Sequence, residues 1–172
     1  MANTIPEKVV NFNVYSDVEK LIGVAGEVTM PDFEAMTETI SGAGILGEYE
    51  SATPGHFSSQ SIEIPFRTIS DSSFRFLENK GQTIVLRAAQ QSYDVAGGKT
   101  SVRPLKITIK GTSKGLNLGK VAVGAPTETT ATIEILYIKI QENGTTLLEL
   151  DKLNFIYVIN GTDLLEDVRN AI

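Results

Sequence analysis

Hydrophobic and polar residues alternate along much of the chain, and the alternation has a period of two. In Leu105-Lys106-Ile107-Thr108-Ile109-Lys110 the odd positions are apolar and the even ones polar. This pattern predicts a strand with one dry and one wet face. Residues 61–66 alternate too, with Ile62, Ile64 and Phe66 inward, and Pro65 points to an edge or a strand end. Thr83 to Ala89 and Thr129 to Ile140 are β-branched and mostly apolar. The second run is apolar in both phases (Ile133, Ile135 and Tyr137 against Leu136, Ile138 and Ile140), which predicts a strand covered on both faces.

Turn chemistry separates the runs. Gly97-Gly98 links a strand ending near Asp94 to one starting near Thr100. Asn143-Gly144, the favoured pair for a type I′ turn, links Thr129–Gln141 to Thr145–Leu150. A looser hairpin fits residues 13–23. Local antiparallel order of this kind predicts a meander or Greek key rather than parallel βαβ units. Two short helices complete the pattern. Ser70 or Asp71 caps a turn carrying Phe74 and Leu77, ending near Asn79 before Gly81. At the C-terminus Asp163 and Glu166 have capping-box spacing, and Leu164, Leu165, Val168 and Ile172 form an apolar stripe. A helix this short needs a docking surface.

Two stretches lack a periodic pattern. Residues 41–59 (SGAGILGEYESATPGHFSS) carry Ile45, Leu46, Tyr49 and Phe57. Residues 113–126 (SKGLNLGKVAVGAP) carry Leu116, Leu118, Val121 and Val123. Long loops are characteristically functional or ordered by a partner, and apolar side chains strengthen the partner reading; the alternative is that they fold back on the domain's own core. The expectation is a mainly β, α+β-minor fold: an antiparallel β-sandwich or barrel with one short internal helix and a C-terminal helix. It forms one domain over 1–172 with loops at about 41–59 and 113–126.

Composition narrows the chemistry. The 172 residues contain no cysteine and a single histidine, His56, which excludes thiolate and multi-histidine metal sites. The net charge of −6 argues against a tight coat on nucleic acid. The N-terminus MANTIPEKVV does not read as a secretory signal, and no apolar run approaches a membrane span, so a soluble cytoplasmic product is expected.

Chemistry-bearing motifs are weak. Ser58 and Ser59 lie near His56, but no orienting third group or oxyanion site accompanies them, so a surface histidine is the better reading. Glu48 and Glu50 share a face if extended. So do Glu149 and Asp151, a conceivable calcium pair, but the calcium-loop run of Asp residues is absent. Residues 42–44 and 111–119 do not match phosphate-binding glycine patterns. Lys106, Lys110, Lys114 and Lys120 make no basic aromatic patch. No catalytic, cofactor-binding or metal-binding residue is therefore assigned.

The C-terminal third, ELDKLNFIYVINGTDLLEDVR over residues 149–169, resembles the end of the major tail tube protein of contractile-tailed phages. In that family an E-x-D-x-(I/L)-N strand leads into an N-G-x-D-x-L-E turn and a final helix, and every position is kept. Gly42-Ala43-Gly44 after a strand started at Met30-Pro31 fits the same family, as does the Tyr137 strand with its Gly144 hairpin. Residues 66–112 match in pattern more than in residue type. The inner tubes of phage-tail-like bacteriocins and type VI secretion systems look similar.

The resemblance implies a structural subunit of the virion tail, built in the bacterial host cytoplasm. Hexameric rings would join their sheets into a continuous barrel and stack into a hollow tube inside a contractile sheath. Implied partners are further copies of the chain, the sheath, a baseplate or initiator, and a tape measure protein, with DNA passing through the lumen without specific binding. Ring closure would pair edge strands otherwise left exposed. Expected contacts between rings and subunits are Ile45, Leu46, Tyr49, Phe57, Leu116, Leu118, Leu164, Leu165 and Val168. Glu63, Glu128 and Glu134, on the wet phase of strands, are the lumen candidates. The alternatives are a bacteriocin or secretion tube, a β-barrel module binding a small ligand or glycan, and a hydrolase around His56.

Overall fold

The computed structural model describes residues 3–17 and 19–172. Met1 and Ala2 of the N-terminal stretch, and Val18 in the first hairpin, lie outside the described residues. The strands are β1 (Thr4–Ser16), β2 (Glu19–Leu21), β3 (Ala35–Ser41), β4 (Glu48–Phe57), β5 (Ser61–Phe66), β6 (Gly81–Asp94), β7 (Lys99–Asn117), β8 (Thr129–Glu142), β9 (Thr145–Asp151), β10 (Ile156–Ile159) and β11 (Thr162–Asp163). Helix α1 (Asp71–Phe74) runs into a 3₁₀ turn at Arg75–Leu77, and α2 is Glu166–Ala171. The order across the main sheet is β11-β10-β9-β8-β7-β6-β1-β2, with β5 joined to β8. All pairs are antiparallel. The mainly β architecture with minor helix is therefore as the alternation predicts.

Strand β8 organises the molecule. One edge pairs with β7; the other is shared, with β5 along residues 129–134 and β9 along residues 137–142. At the fork the ladder skips Leu136, because Lys110 faces Tyr137 and Gly111 faces Ile135. This β-bulge explains the two apolar phases. Ala131, Ile133 and Ile135 point inward before it, Ile138 and Ile140 after it, all on one face. The expectation of a strand covered on both faces is thus corrected: an extra residue switches the phase and keeps a single face dry. Backbone groups at the fork are satisfied by Ile135 N–H donating to Gln60 O (2.8 Å) and Lys152 N–H donating to Leu136 O (3.0 Å). Opposite the bulge the chains approach so closely that a Cβ on Gly111 would lie 1.8 Å from Glu134 O.

The core is formed by the inward faces of β1 and β5–β9, with Ile62, Ile64, Phe66, Ile84, Ile109, Ile133 and Leu150 fully buried. Pro65 causes no loss: it has no N–H to place, and its carbonyl accepts from Ala25 N–H (2.8 Å). At the helical turn Ser70 is the N-cap, and Ser73 Oγ accepts from Ser70 N–H (3.3 Å) and donates to Ser70 O (2.7 Å). The inward face differs from the expected one. Phe74 and Leu77 are exposed, whereas Ser73 and Phe76 are buried, with Phe76 5.9 Å from the Phe66 ring. Tightening to three residues per turn after Phe74 aligns Ser73 with Phe76.

Both aperiodic stretches contain strands. β3 and β4 form a separate two-stranded hairpin whose tip is only residues 42–47. Its first strand starts at Ala35, not at Met30-Pro31. β7 continues to Asn117, so the second loop is residues 118–128. It is held by Lys120 N–H to Thr127 O and Thr127 N–H to Arg67 O, both 2.8 Å. Near the C-terminus β9 ends at Asp151 and residues 152–155 form a turn, so the E-x-D-x-L-N segment is not strand throughout. Asn143 and Gly144 both have positive φ (50° and 79°), as a type I′ turn requires.

Candidate functional site

The β3–β4 hairpin is largely exposed. It pairs only with itself and meets the body of the subunit at its base. Cross-strand partners share a face, so Ile40 and Tyr49 lie together, on the same side as Glu38 and Ser51, while Thr39, Ser41, Glu48 and Glu50 form the other side. Met36, Ile45 and Tyr49 are exposed, and Leu46 at the tip is fully open at 105%. A two-stranded hairpin with an uncovered apolar side is marginal in water. Such a surface can be completed by another protein surface but offers no chemistry of its own.

The base of the hairpin is built differently. Ala35 faces Phe57 and Thr37 faces Ala52, so residues 53–56 bulge opposite the single residue Met36. Gly55 there has φ +72°, and Leu165 packs into the space its missing side chain leaves. Phe57 meets Phe33 (5.5 Å) and Tyr157 (5.3 Å) edge-on and packs on the core.

The expected contact residues divide in two. Ile45, Leu46, Tyr49, Leu118, Leu164 and Val168 are open to solvent. Phe57 and Leu116 pack against the subunit's own core, and Leu165 is 7% exposed. The C-terminal apolar stripe is therefore not one buried face: Leu165 alone is inward, and Ile172 is exposed. Nor does Asp163 form a capping box with Glu166. The helix starts two residues later, with Leu165 as N-cap, and Asp163 Oδ1 accepts from Leu165 N–H (3.0 Å) while the carboxylate pairs with Arg169. That hydrogen bond from Arg169, helped by the Leu165 amide, holds the Asp163 carboxyl below its usual range.

The lumen candidates are scattered. Glu63 and Glu134 share the outward face of the sheet. Glu134 is not free: it accepts from Ser59 Oγ (2.9 Å) and pairs with Lys114 (3.1 Å). Burial pushes its carboxyl upward, but these bonds outweigh burial and the net shift is downward. Glu128 is not on a strand. It precedes β8 with φ +57°, where the chain turns into the sheet. The outward face also carries Arg87, Lys106, Lys110 and Lys139, which the acidic reading overlooked. Arg87 lies over the Tyr15 ring (5.4 Å) and Lys110 over the Tyr137 ring (5.3 Å). The chain's acidity is concentrated elsewhere: residues 21–66 contain seven carboxylates and no Lys or Arg, and the remaining chain holds 14 carboxylates against 15 basic residues. This block, which includes the hairpin, is legible in the sequence as a run of 46 residues without Lys or Arg.

The residues weighed for catalysis are separately engaged. His56 is exposed on β4. Ser58 Oγ donates to Glu34 O (3.5 Å) and Ser59 to Glu134, so neither serine is activated by the imidazole. Glu149 accepts from the Tyr137 hydroxyl (2.8 Å) and meets Lys139 at 3.4 Å. Burial, followed by this hydrogen bond, pushes the Tyr137 hydroxyl up to about 12. Asp151 accepts from the Leu153 and Asn154 N–H groups, both at 3.1 Å. No group of three metal-ligating side chains occurs among the described residues, and no helix among them is long and apolar enough to cross a membrane.

Comparison with known proteins supplies the family. The family of phage tail tube protein FII matches residues 6–172. The tail tube protein of Escherichia phage P2 is 26% identical over 171 residues, covering 98% of each chain. Nearly every element described above, from β1 to α2, falls inside the family match, and so the chain belongs to the phage tail tube protein FII family, whose members are structural components of the virion tail.

Proposed function

We propose that this subunit forms six-membered rings which stack into a hollow tube inside a contractile sheath, the conduit through which DNA leaves the virion. The family supplies the tube role. The observation that carries the assembly reading is the β3–β4 hairpin, an amphipathic element attached only at its base, with Leu46 and Tyr49 uncovered. Contact with an adjacent ring would cover that side. A heterologous contact of this kind does not close on itself and so grows along an axis. The outer edge of β1 supports lateral joining. Among the described residues only 14–16 pair with β2, which leaves residues 4–13 with one edge that no other described strand pairs, a template for another strand.

Lumen lining by Glu63, Glu134 and the basic residues of the same face would give a mixed surface rather than a uniformly acidic one. DNA would then pass over neutral Ser and Thr groups, the ion pairs Lys114–Glu134 and Lys139–Glu149, and the Arg87 and Lys110 cations stacked on tyrosine rings. The sheath, the initiator and the tape measure protein remain the proposed partners.

The test is electron microscopy of concentrated protein seeded with its initiator. Wild-type chain should give pierced discs and hollow cylinders. Leu46→Asp, which places a charge on a fully exposed tip, should leave the monomer folded and abolish cylinders. Normal cylinders from this variant would reject the hairpin contact, and absence of discs and cylinders from the wild type would reject the tube itself.

A further inference from the structure

The bulge at residues 53–56 gives the hairpin a joint. Four residues there face one, Pro54 has no N–H, and Gly55 takes a left-handed conformation that side chains disfavour. Below the joint the strands are tied only by Ala35 opposite Phe57 and by Ser58 N–H donating to Glu34 O (3.1 Å), and the ladder is interrupted between there and Thr37, so it sets the hairpin's angle weakly. Leu165 occupies the joint: a Cβ at Gly55 would lie 2.7 Å from Leu165 Cδ1 and 3.3 Å from Cγ.

Leu165 is itself firmly held. Its N–H donates to Asp163 Oδ1 (3.0 Å), and its carbonyl accepts from Arg169 N–H (2.9 Å). The Arg169 guanidinium pairs with Asp163 and donates to Phe155 O (2.7 Å). Leu164 N–H donates to Tyr157 O (2.8 Å), and the Tyr157 ring meets Phe57, the residue that ends the bulge. Helix α2 has six residues and none of them is buried, so its packing contribution to the core is small. What it secures is Leu165.

We infer that the C-terminal segment acts as a wedge: Leu165, locked by Asp163 and Arg169, sets the angle at which the β3–β4 hairpin leaves the subunit and so presents Ile45, Leu46 and Tyr49 to the next copy of the chain. Leu165 and Arg169 are then positioning residues for assembly, not contact residues. The inference rests on the proposed hairpin contact between rings.

Hydrogen exchange of the full chain, diluted to keep it unassembled, tests it together with tube formation. Leu165→Ala should raise exchange of residues 35–52 about tenfold while β6–β8 keep wild-type protection. Tube growth should slow in parallel, with Arg169→Ala behaving similarly and Arg169→Lys lying between. Leu46→Asp should stop tubes with no change in hairpin exchange. Unchanged protection of residues 35–52 in Leu165→Ala would overturn the wedge. If that variant loosens the whole sheet, Arg169→Ala decides, since it leaves the core side chains in place: a rise confined to the hairpin supports the wedge, and its absence overturns it. Normal tubes from Leu46→Asp alongside a loosened hairpin in Leu165→Ala would reject the ring contact, and with it the assembly role of the wedge.

Discussion

Replacing Gly111 by alanine should be among the most damaging single-methyl changes this protein can suffer. The added Cβ would sit 1.8 Å from Glu134 O and 2.9 Å from the Glu134 carbonyl carbon. Both are backbone atoms of the central strand β8, opposite the Leu136 bulge, so no side chain can swing aside. Overpacking of this kind costs about 1–3 kcal/mol where side chains relax. Here β7 must also separate from β8, weakening one or two ladder hydrogen bonds worth about 1 kcal/mol each. The expected loss is about 2–5 kcal/mol, a large part of the 5–15 kcal/mol typical of a folded domain. Urea denaturation reads it directly: at a slope of about 2 kcal/mol per M, the midpoint should fall by about 1–2.5 M. Gly115, on the same strand, is the internal control. Nothing lies within 4 Å of a Cβ there and its φ is ordinary, so Gly115→Ala should be neutral or stabilise by about 0.4–1 kcal/mol. A Gly111→Ala midpoint within the error of Gly115→Ala would refute the close approach and, with it, the bulge that explains the phase of β8.

Phe76→Ala should cost about 3–5 kcal/mol because the ring is fully buried against Phe66, whereas Phe74→Ala should cost under about 1 kcal/mol; thermal melts of the two variants check which face of the 3₁₀ turn is inward. The Tyr137 hydroxyl, raised to about 12, should resist ionisation when other tyrosines titrate in ultraviolet absorbance. A raised value stabilises the folded state fully below the ordinary tyrosine value near 10 and loses that contribution as pH climbs through about 12; Tyr137→Phe should remove this alkaline dependence. Asp163 behaves in the opposite sense. Its value is lowered, so its contribution is present above the ordinary value of 3.8 and is lost as pH falls below that, releasing α2 before the sheet unfolds; amide exchange of residues 164–172 on acidification is the readout, and Asp163→Asn should abolish the step.

The candidate contacts show where reading a chain stops. Ile45, Leu46 and Tyr49, the proposed contact residues, stand out in sequence because apolar side chains in a glycine-rich stretch have no periodic partner to bury them, and all three are exposed. Phe57 and Leu165 look the same in sequence, 108 positions apart, yet they pack at the base of one hairpin. Nothing local distinguishes an apolar residue that meets its own chain from one that awaits another copy. The outward basic residues Arg87 and Lys106 become neighbours only through the β6–β7 register, so an acidic total charge concealed them.

By itself the sequence determined the extended segments that alternate, in β5 to β9, and the turns that join β6 to β7 and β8 to β9; β4, which does not alternate, is extended through its pairing with β3. Period-two alternation and left-handed turn pairs such as Asn143-Gly144 are local properties of a few residues, set by steric limits on φ and ψ. Tertiary structure decided which face of each strand is inward and which edges remain free. Those depend on pairing between distant segments. One unpaired residue, Leu136, reverses the phase of all that follows, and the fork of β8 between β5 and β9 gives that residue its place.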